Sequence, residues 1–368
     1  MTRKLNFSSG PAALPEAVLR KAQEAIWDLD GSGIGILEHS HRGKEFGRVL
    51  DRAERLIRDV GGIGDEYAIL FVTAGATHHF AMVPQSFLGS GETADYIDTG
   101  IWAGKAIEEA RRVGDVHVAG SSGPSYVAIP SQLAFSTQPR YVHYTSNETI
   151  YGTQWKQPPV VPGRRSESGD LLLGPAPLVC DASSDIFSRP LDLANHGLIY
   201  AGAQKNLGPS GISLVIARKD FMESGRRDLP PLAQYRTYAA EKSMHNTPNT
   251  FGIYVISEVM AWIAAEGGLA AMAERNERKA RLVYNFLDAS KVWRGPAEPG
   301  SRSMMNITFR GATKELEETM LARAEERGLS GLRGHRSVGG LRASLYNAFP
   351  EDGVARLVEL RDEVERSA

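Results

Sequence analysis

The chain has 368 residues, with 42 Lys+Arg against 44 Asp+Glu and a net charge of −2, so the basic excess of a nucleic-acid binder is missing. Hydrophobic residues make up 42%, enough at this length to bury a large core, and length alone suggests roughly two to three domains. The single cysteine, Cys180, excludes an intrachain disulfide framework and a Cys-based zinc cluster; no secretory signal and no membrane span are expected either, which predicts a soluble, cytoplasmic protein.

In chain order the pattern predicts helices over Glu16–Leu29 and Lys44–Val60, then a strand at Ala68–Thr73 leading into a helix at Thr77–Phe87. A strand at Ala94–Asp98 leads into a helix at Trp102–Arg112. Further strands are expected at Tyr141–Thr145, Leu178–Asp181, Leu198–Ala201 and Ile212–Ala217, and a helix at Gly252–Ala265. The Pro-, Gly- and Ser-rich segment Pro158–Pro177 reads as a surface loop. Alternating strands and helices argue for an α/β fold with a mostly parallel sheet. From about residue 262 the texture changes: helix Leu269–Leu287, strand Met304–Phe309, helix Thr313–Arg327, strand Gly340–Ala348 and helix Gly353–Arg366 form an α+β unit. The expected division is therefore 16–261 as the large domain and 262–368, with the N-terminal segment 1–15, as the small one.

In parallel sheets ligands sit beyond the carboxyl ends of the strands, so the strand ends are where chemistry is sought. In GLIYAGAQKNLGPSG, Lys205 follows a strand and is surrounded by small residues, which leaves room for a bulky group beside the amine. Taken alone, a loop lysine is most often solvated; in a partly dry pocket its lowered pKa lets the neutral amine attack a carbonyl. Asp181 ends LVCD one crossover earlier, at the same sheet edge, where an acid either caps the next helix or pairs with a protonated pyridine nitrogen. The backbone N–H groups of Ala76 and Thr77 in AILFVTAGATHHF open a helix and suit an anion. Trp102 in YIDTGIWAGKAI offers an indole that stacks on a flat ring or fills a core, and Thr149 in YVHYTSNETIYG offers a hydroxyl. Together these five strand ends meet the needs of pyridoxal phosphate. His41 and Arg42 in HSHRGKEF, and His335, Arg336 and Arg342 in GHRSVGGLRASLYNA, suit anions; alternation puts Arg342, Ser344 and Tyr346 on one face of their strand.

The segments NFSSGPAALP, SHRGKEF, TADYIDTGIW, NETIYG, IYAGAQKN, NTPNTF and GHRSVGGLRASLYNA, in this order over nearly the whole chain, closely resemble the phosphoserine aminotransferase family, which are fold-type I, class V pyridoxal-phosphate enzymes. The resemblance implies a homodimer with active sites at the subunit interface and no metal. It implies Lys205 as the Schiff-base lysine, Gln204 beside it on the cofactor phosphate, Asp181 on the pyridine nitrogen, Trp102 stacked on the ring and Thr149 on the ring hydroxyl. Ala76 and Thr77 would hold the phosphate with Asn246 and Thr247 of the other subunit. Arg342 would take the α-carboxylate. His335 and Arg336, with His41 and Arg42 of the other subunit, would take the phosphate or side-chain carboxylate. The implied reaction is ping-pong transamination: glutamate leaves as 2-oxoglutarate, and 3-phosphohydroxypyruvate leaves as phosphoserine. A related phosphorylated four-carbon keto acid of vitamin B6 synthesis is a second implied substrate. The phosphate turn departs from many bacterial members at Thr77, and His78 and His79 have no expected role. Rival readings are a cysteine desulfurase, disfavoured because Cys180 lies inside a strand; an alanine–glyoxylate aminotransferase, which would not need the His/Arg set; and a non-catalytic phosphate- or nucleotide-binding protein.

Overall fold

A computed structural model describes residues 3–165 and 171–367. Its centre is a seven-stranded sheet of β1 (Tyr67–Val72), β2 (Thr93–Asp98), β3 (Asp115–Ser121), β4 (Val142–Thr145), β5 (Leu178–Asp181), β6 (His196–Gly202) and β7 (Ser213–Arg218). The order across the sheet is β1-β7-β6-β5-β4-β2-β3. All run parallel except β7, which is antiparallel to both neighbours. The sheet is thus the mostly parallel α/β sheet that the alternation predicted.

Burial on both faces explains why its strands read as continuous apolar runs. Every residue of β1 is buried; Ile69 and Phe71 enter one core, while Ala68, Leu70 and Val72 enter the other. The first core packs under α1 (Glu16–Trp27), α2 (Lys44–Gly61) and α5 (Thr250–Ala265); the second packs under α3 (Ala76–Phe87) and α4 (Ile101–Arg111). A third core surrounds the antiparallel sheet Trp293–Arg294, Asn306–Gly311 and Leu341–Ser344. Helices Lys314–Glu326 and Glu351–Arg366 cover it, and Thr313 caps the first of these by accepting from the Leu316 N–H at 3.2 Å. Helix α6 (Gly268–Ala289) serves two cores, giving Leu269 and Met272 to the first and Ala280, Val283 and Leu287 to the third. Near the start of the chain, Leu5–Asn6 pairs in parallel with Leu329–Ser330, which brings the N-terminal segment to the third core. Among the described residues no single helix is long and apolar enough to cross a membrane.

Two expectations need correction. Strand β3 was absent from the sequence reading; it is an edge strand with only Ala119 buried, so it lacks the apolar run that marks its neighbours. The segment Pro158–Pro177 is not purely loop, because Gly163–Arg165 pairs with Leu171–Pro175 as an antiparallel ladder; 166–170 lie outside the described residues.

Candidate active site

The carboxyl ends of β2, β4, β5 and β6 lie along one edge of the sheet, in the register Asp181↔Thr145 and Asp181↔Tyr200. Lys205 follows β6 in a turn closed by the Gly208 N–H donating to the Ala203 carbonyl at 2.7 Å. Burial lowers the lysine's pKa, while Asp181 and Glu148 push it back up and Arg342 lowers it further. Its ammonium nitrogen lies 5.8 Å from the centre of the Trp102 ring. Above it crosses the N-terminal segment: the Ala12 N–H donates to the Gln204 carbonyl at 2.9 Å, and a Cβ on Gly10 would sit 3.4 Å from Lys205 Cγ. With φ at +141° and the lysine stem this close, position 10 suits glycine.

Asp181 is buried, and burial raises its pKa against the opposing pull of Lys205 and Ser183. The Ser183 N–H and hydroxyl both donate to its Oδ1, at 3.0 and 2.6 Å; among the described residues Oδ2 has no hydrogen bond. Ser183 in turn accepts from the Gly202 N–H at 3.0 Å, so the aspartate is tied to β6. Thr149 is a junction. Its hydroxyl oxygen accepts from the Trp102 indole N–H at 3.0 Å, and its carbonyl accepts from the Arg342 guanidinium at 3.1 Å. Arg342 also donates to the Ser9 hydroxyl at 2.7 Å, and the Tyr346 hydroxyl donates to the Ser9 carbonyl at 2.7 Å. Leu341, Ala343 and Leu345 enter the third core on the opposite face, which bears out the alternation read for that strand.

At the third strand end, helix α3 starts after Gly75 with no side-chain cap, which leaves the first-turn N–H groups of Ala76 and Thr77 uncommitted among the described residues. Just behind them His79 is fully buried, with Nδ1 2.9 Å from the Tyr235 hydroxyl and Nε2 2.7 Å from the Ser213 hydroxyl. Burial lowers its pKa to about 3. His79 is therefore a neutral core residue that braces α3 against β7, while His78 is exposed. His335 pairs through Nδ1 with the Ser337 hydroxyl at 2.7 Å; burial, then Arg342, Arg336 and Lys105, lower its pKa, so it lies within the field of Arg342. Arg336 is exposed.

Four expected residues stand apart. His41 and Arg42, before α2, and Asn246 and Thr247, before α5, have no hydrogen bond or ion pair with this cluster among the described residues. Three residues of the cluster escaped the sequence reading, the first being Ser183, which orients Asp181. Ser9 lies 333 positions from the arginine it meets. Glu148 is buried and accepts the Trp102 backbone N–H at 3.1 Å. The acid in NETIYG, flanked by buried strand residues, was the available signal.

A cavity of about 820 Å³ lies elsewhere, between α1, α2 and α5, with Lys21, Asp28, Arg52 and Tyr254 among its lining. Within that lining, buried Glu258 accepts from Lys21 at 2.7 Å and also from Arg52. Cys180 is buried, and burial pushes its thiol pKa up, which argues against the mobile nucleophile of a desulfurase.

A family model described as Aminotransferase class-V matches residues 4–357. The phosphoserine aminotransferase of Herpetosiphon aurantiacus is 49% identical over 356 residues, covering 96% of each chain. Among solved structures, the phosphoserine aminotransferase from Bacillus circulans subsp. alkalophilus superposes with a TM-score of 0.93 at 44% identity, covering 99% of both chains. The pyridoxal-phosphate-bound phosphoserine aminotransferase from Trichomonas vaginalis gives 0.90 at 35% identity, covering 98% of this chain and 100% of that one. The chain belongs to the class-V aminotransferases and, within them, to the phosphoserine aminotransferases.

Proposed function

We propose that the cluster around Lys205 is the site at which an amino group passes between L-glutamate and 3-phosphohydroxypyruvate, with pyridoxal phosphate as cofactor and two copies of the chain completing each site. The observation that carries this reading is the Lys205 amine held between the Trp102 ring, 5.8 Å away, and the buried acids Asp181 and Glu148. The residues present fit the cofactor. Among the described residues the Gln204 Nε2 donor and the Asp181 Oδ2 acceptor have no hydrogen-bond partner, and the start of α3 is uncapped. Pyridoxal phosphate, when bound, supplies an aldehyde that takes up amino groups and a ring that accepts the electrons left at the substrate α-carbon.

The chain's own groups supply the rest. Ala76 and Thr77 N–H groups with Gln204 meet the phosphate, where the helix dipole favours negative charge. Asp181 Oδ2 holds the proton of the ring nitrogen, and buried surroundings strengthen that bond. Trp102 stacks on the ring and Thr149, whose oxygen accepts from the indole, keeps its own hydroxyl proton for the ring oxygen. Lys205 Nζ, held toward its neutral form by burial, would take the proton from the substrate α-carbon and deliver it two atoms along, at the carbon that carried the aldehyde. Arg342, fixed by Thr149 and Ser9, takes the α-carboxylate. His335 and Arg336 take the distal anion together with His41 and Arg42 from the second copy, and Asn246 and Thr247 of that copy reach the phosphate.

A dimer is supported by an exposed apolar group just before His41: Ile26, Trp27 (86% exposed), Ile34 and Leu37. On the same reading residues 16–261 form the cofactor domain, and 262–368 with 1–15 form the domain that brings Arg342. The test is spectroscopic and chemical. The enzyme reconstituted with pyridoxal phosphate should be yellow and bleach on adding glutamate, and borohydride should fix the label on the peptide containing Lys205. Label on another lysine, or none, would refute the assignment.

A further inference from the structure

Helix α4 begins at Gly100, which has no side chain to cap it, yet its N-terminus is not open. Glu148 reaches it from another part of the chain: Oε2 accepts the Trp102 backbone N–H at 3.1 Å, and Oε1 accepts the Ile150 N–H at 3.3 Å. The fit is close. Gly100 has φ at +151°, and a Cβ there would lie 2.6 Å from Glu148 Cγ, so a larger residue would displace the carboxyl. The segment that carries Glu148 is itself pinned. Asn147–Glu148 pairs with Thr153–Gln154, and Asn147 Nδ2 donates to Ser184 Oγ at 2.7 Å and to Asn306 Oδ1 at 2.8 Å. Glu148 and Thr149 thus grip one residue twice, by the backbone nitrogen and by the indole nitrogen of Trp102.

We propose that Glu148 is a positioning residue of the cofactor site, a helix cap supplied from a distance that fixes the Trp102 ring where the cofactor stacks. The proposal rests on the reading of Trp102 as the stacking ring. Burial raises the Glu148 pKa to about 8, with the Trp102 and Ile150 N–H groups and Lys205 pulling down and Asp181 pushing up. Glutamine keeps one acceptor oxygen and removes the carboxylate's charge, so it separates the hydrogen bond to the Trp102 N–H from that charge.

The experiment is equilibrium dialysis of the apoenzyme against pyridoxal phosphate for wild type, Glu148→Ala, Glu148→Gln, Trp102→Ala and the double variant Glu148→Ala/Trp102→Ala. Loss of a cap should weaken binding about tenfold in Glu148→Ala. Because Glu148 acts through the Trp102 ring, the double variant should bind within about twofold of Trp102→Ala alone, whereas independent sites would multiply. Glu148→Gln, which keeps an oxygen for the Trp102 N–H, should stay within about threefold of wild type if the hydrogen bond carries the effect. Multiplying effects in the double variant, tight binding by Glu148→Ala, or a loss in Glu148→Gln as large as that of alanine would each overturn the proposal. A wild-type chain that fails to bind pyridoxal phosphate, or a Trp102→Ala variant as tight as wild type, would instead overturn the site reading beneath it.

Discussion

The residues assigned to catalysis fall into two groups that are held in opposite ways. Asp181, Thr149 and Arg342 are buried and cross-braced: Asp181 accepts from Ser183, Thr149 accepts from Trp102, and Arg342 donates to Ser9. Arg42, Asn246 and Thr247 are exposed on turns, and the half-buried His41 beside them has no hydrogen-bond partner among the described residues. A preorganised cluster acts without reorganising at the moment of reaction. Side chains that must reach a ligand from loops need something to order them, and the exposed Ile26, Trp27, Ile34 and Leu37 beside His41 suggest what does so.

The sharpest test of the braced group is Lys205→Ala. It removes the amine whose charge acts on both Asp181 and Glu148, and transamination should fall by about 10⁴ or more, since general-base and covalent roles are lost together. Pyridoxal phosphate should still bind, as its other contacts remain. Stopped-flow absorbance with glutamate reads the first loss and dialysis the second; residual turnover within about tenfold of wild type would remove Lys205 from the mechanism.

Arg342→Gln comes next. The side chain is 9% exposed and burial lowers its pKa, so the charge is kept by partners and by substrate rather than by water. Losing a charge-assisted pair to the α-carboxylate should lower kcat/KM for both glutamate and phosphoserine by about 10²-fold. An effect on phosphoserine alone would move Arg342 to the distal anion.

How far the sequence carried this picture follows from the range of each contact. Lys205, Asp181, Trp102 and Thr149 sit at ends of apolar runs, and a strand end is a local signal. Arg342 was legible through alternation, because Leu341, Ala343 and Leu345 commit the other face to the core. What local pattern does not carry is the pairing. Trp102 and Thr149 are 47 positions apart, and Ser9 and Arg342 are 333 apart. Glu148 lies in a two-residue strand whose partners are set by the surrounding fold, so nothing in its own periodicity marks it. His79 looked unassigned because its partners, Tyr235 and Ser213, come from elements more than a hundred positions away.

For the exposed group, subunit complementation asks whether it works across a dimer. Lys205→Ala and His41→Gln/Arg42→Ala variants should each be nearly inactive alone on phosphoserine. When they are mixed and reassorted, the hybrid carries one site with an intact lysine and an intact partner His41–Arg42. Random reassortment should then restore about a quarter of wild-type activity. If His41 and Arg42 serve the site of their own chain, no hybrid site is complete and recovery stays near zero.

The smallest expected effect joins the two groups at His335. Burial, followed by Arg342, Arg336 and Lys105, holds its pKa below the ordinary histidine value, which favours the uncharged imidazole in the free enzyme. A bound phosphate favours the protonated ring, and protonation costs less as pH falls toward the free-enzyme value. The ratio of wild-type to His335→Gln kcat/KM for phosphoserine should therefore grow as pH drops below about 6.5, by about fivefold at most for one partly exposed pair. Comparing the variants as a ratio cancels the titrations of substrate phosphate and of Lys205, which both share. A ratio that is large but flat with pH would mean that the ring serves as a neutral donor, oriented by Ser337, and that Arg336 with the partner's arginine carries the charge.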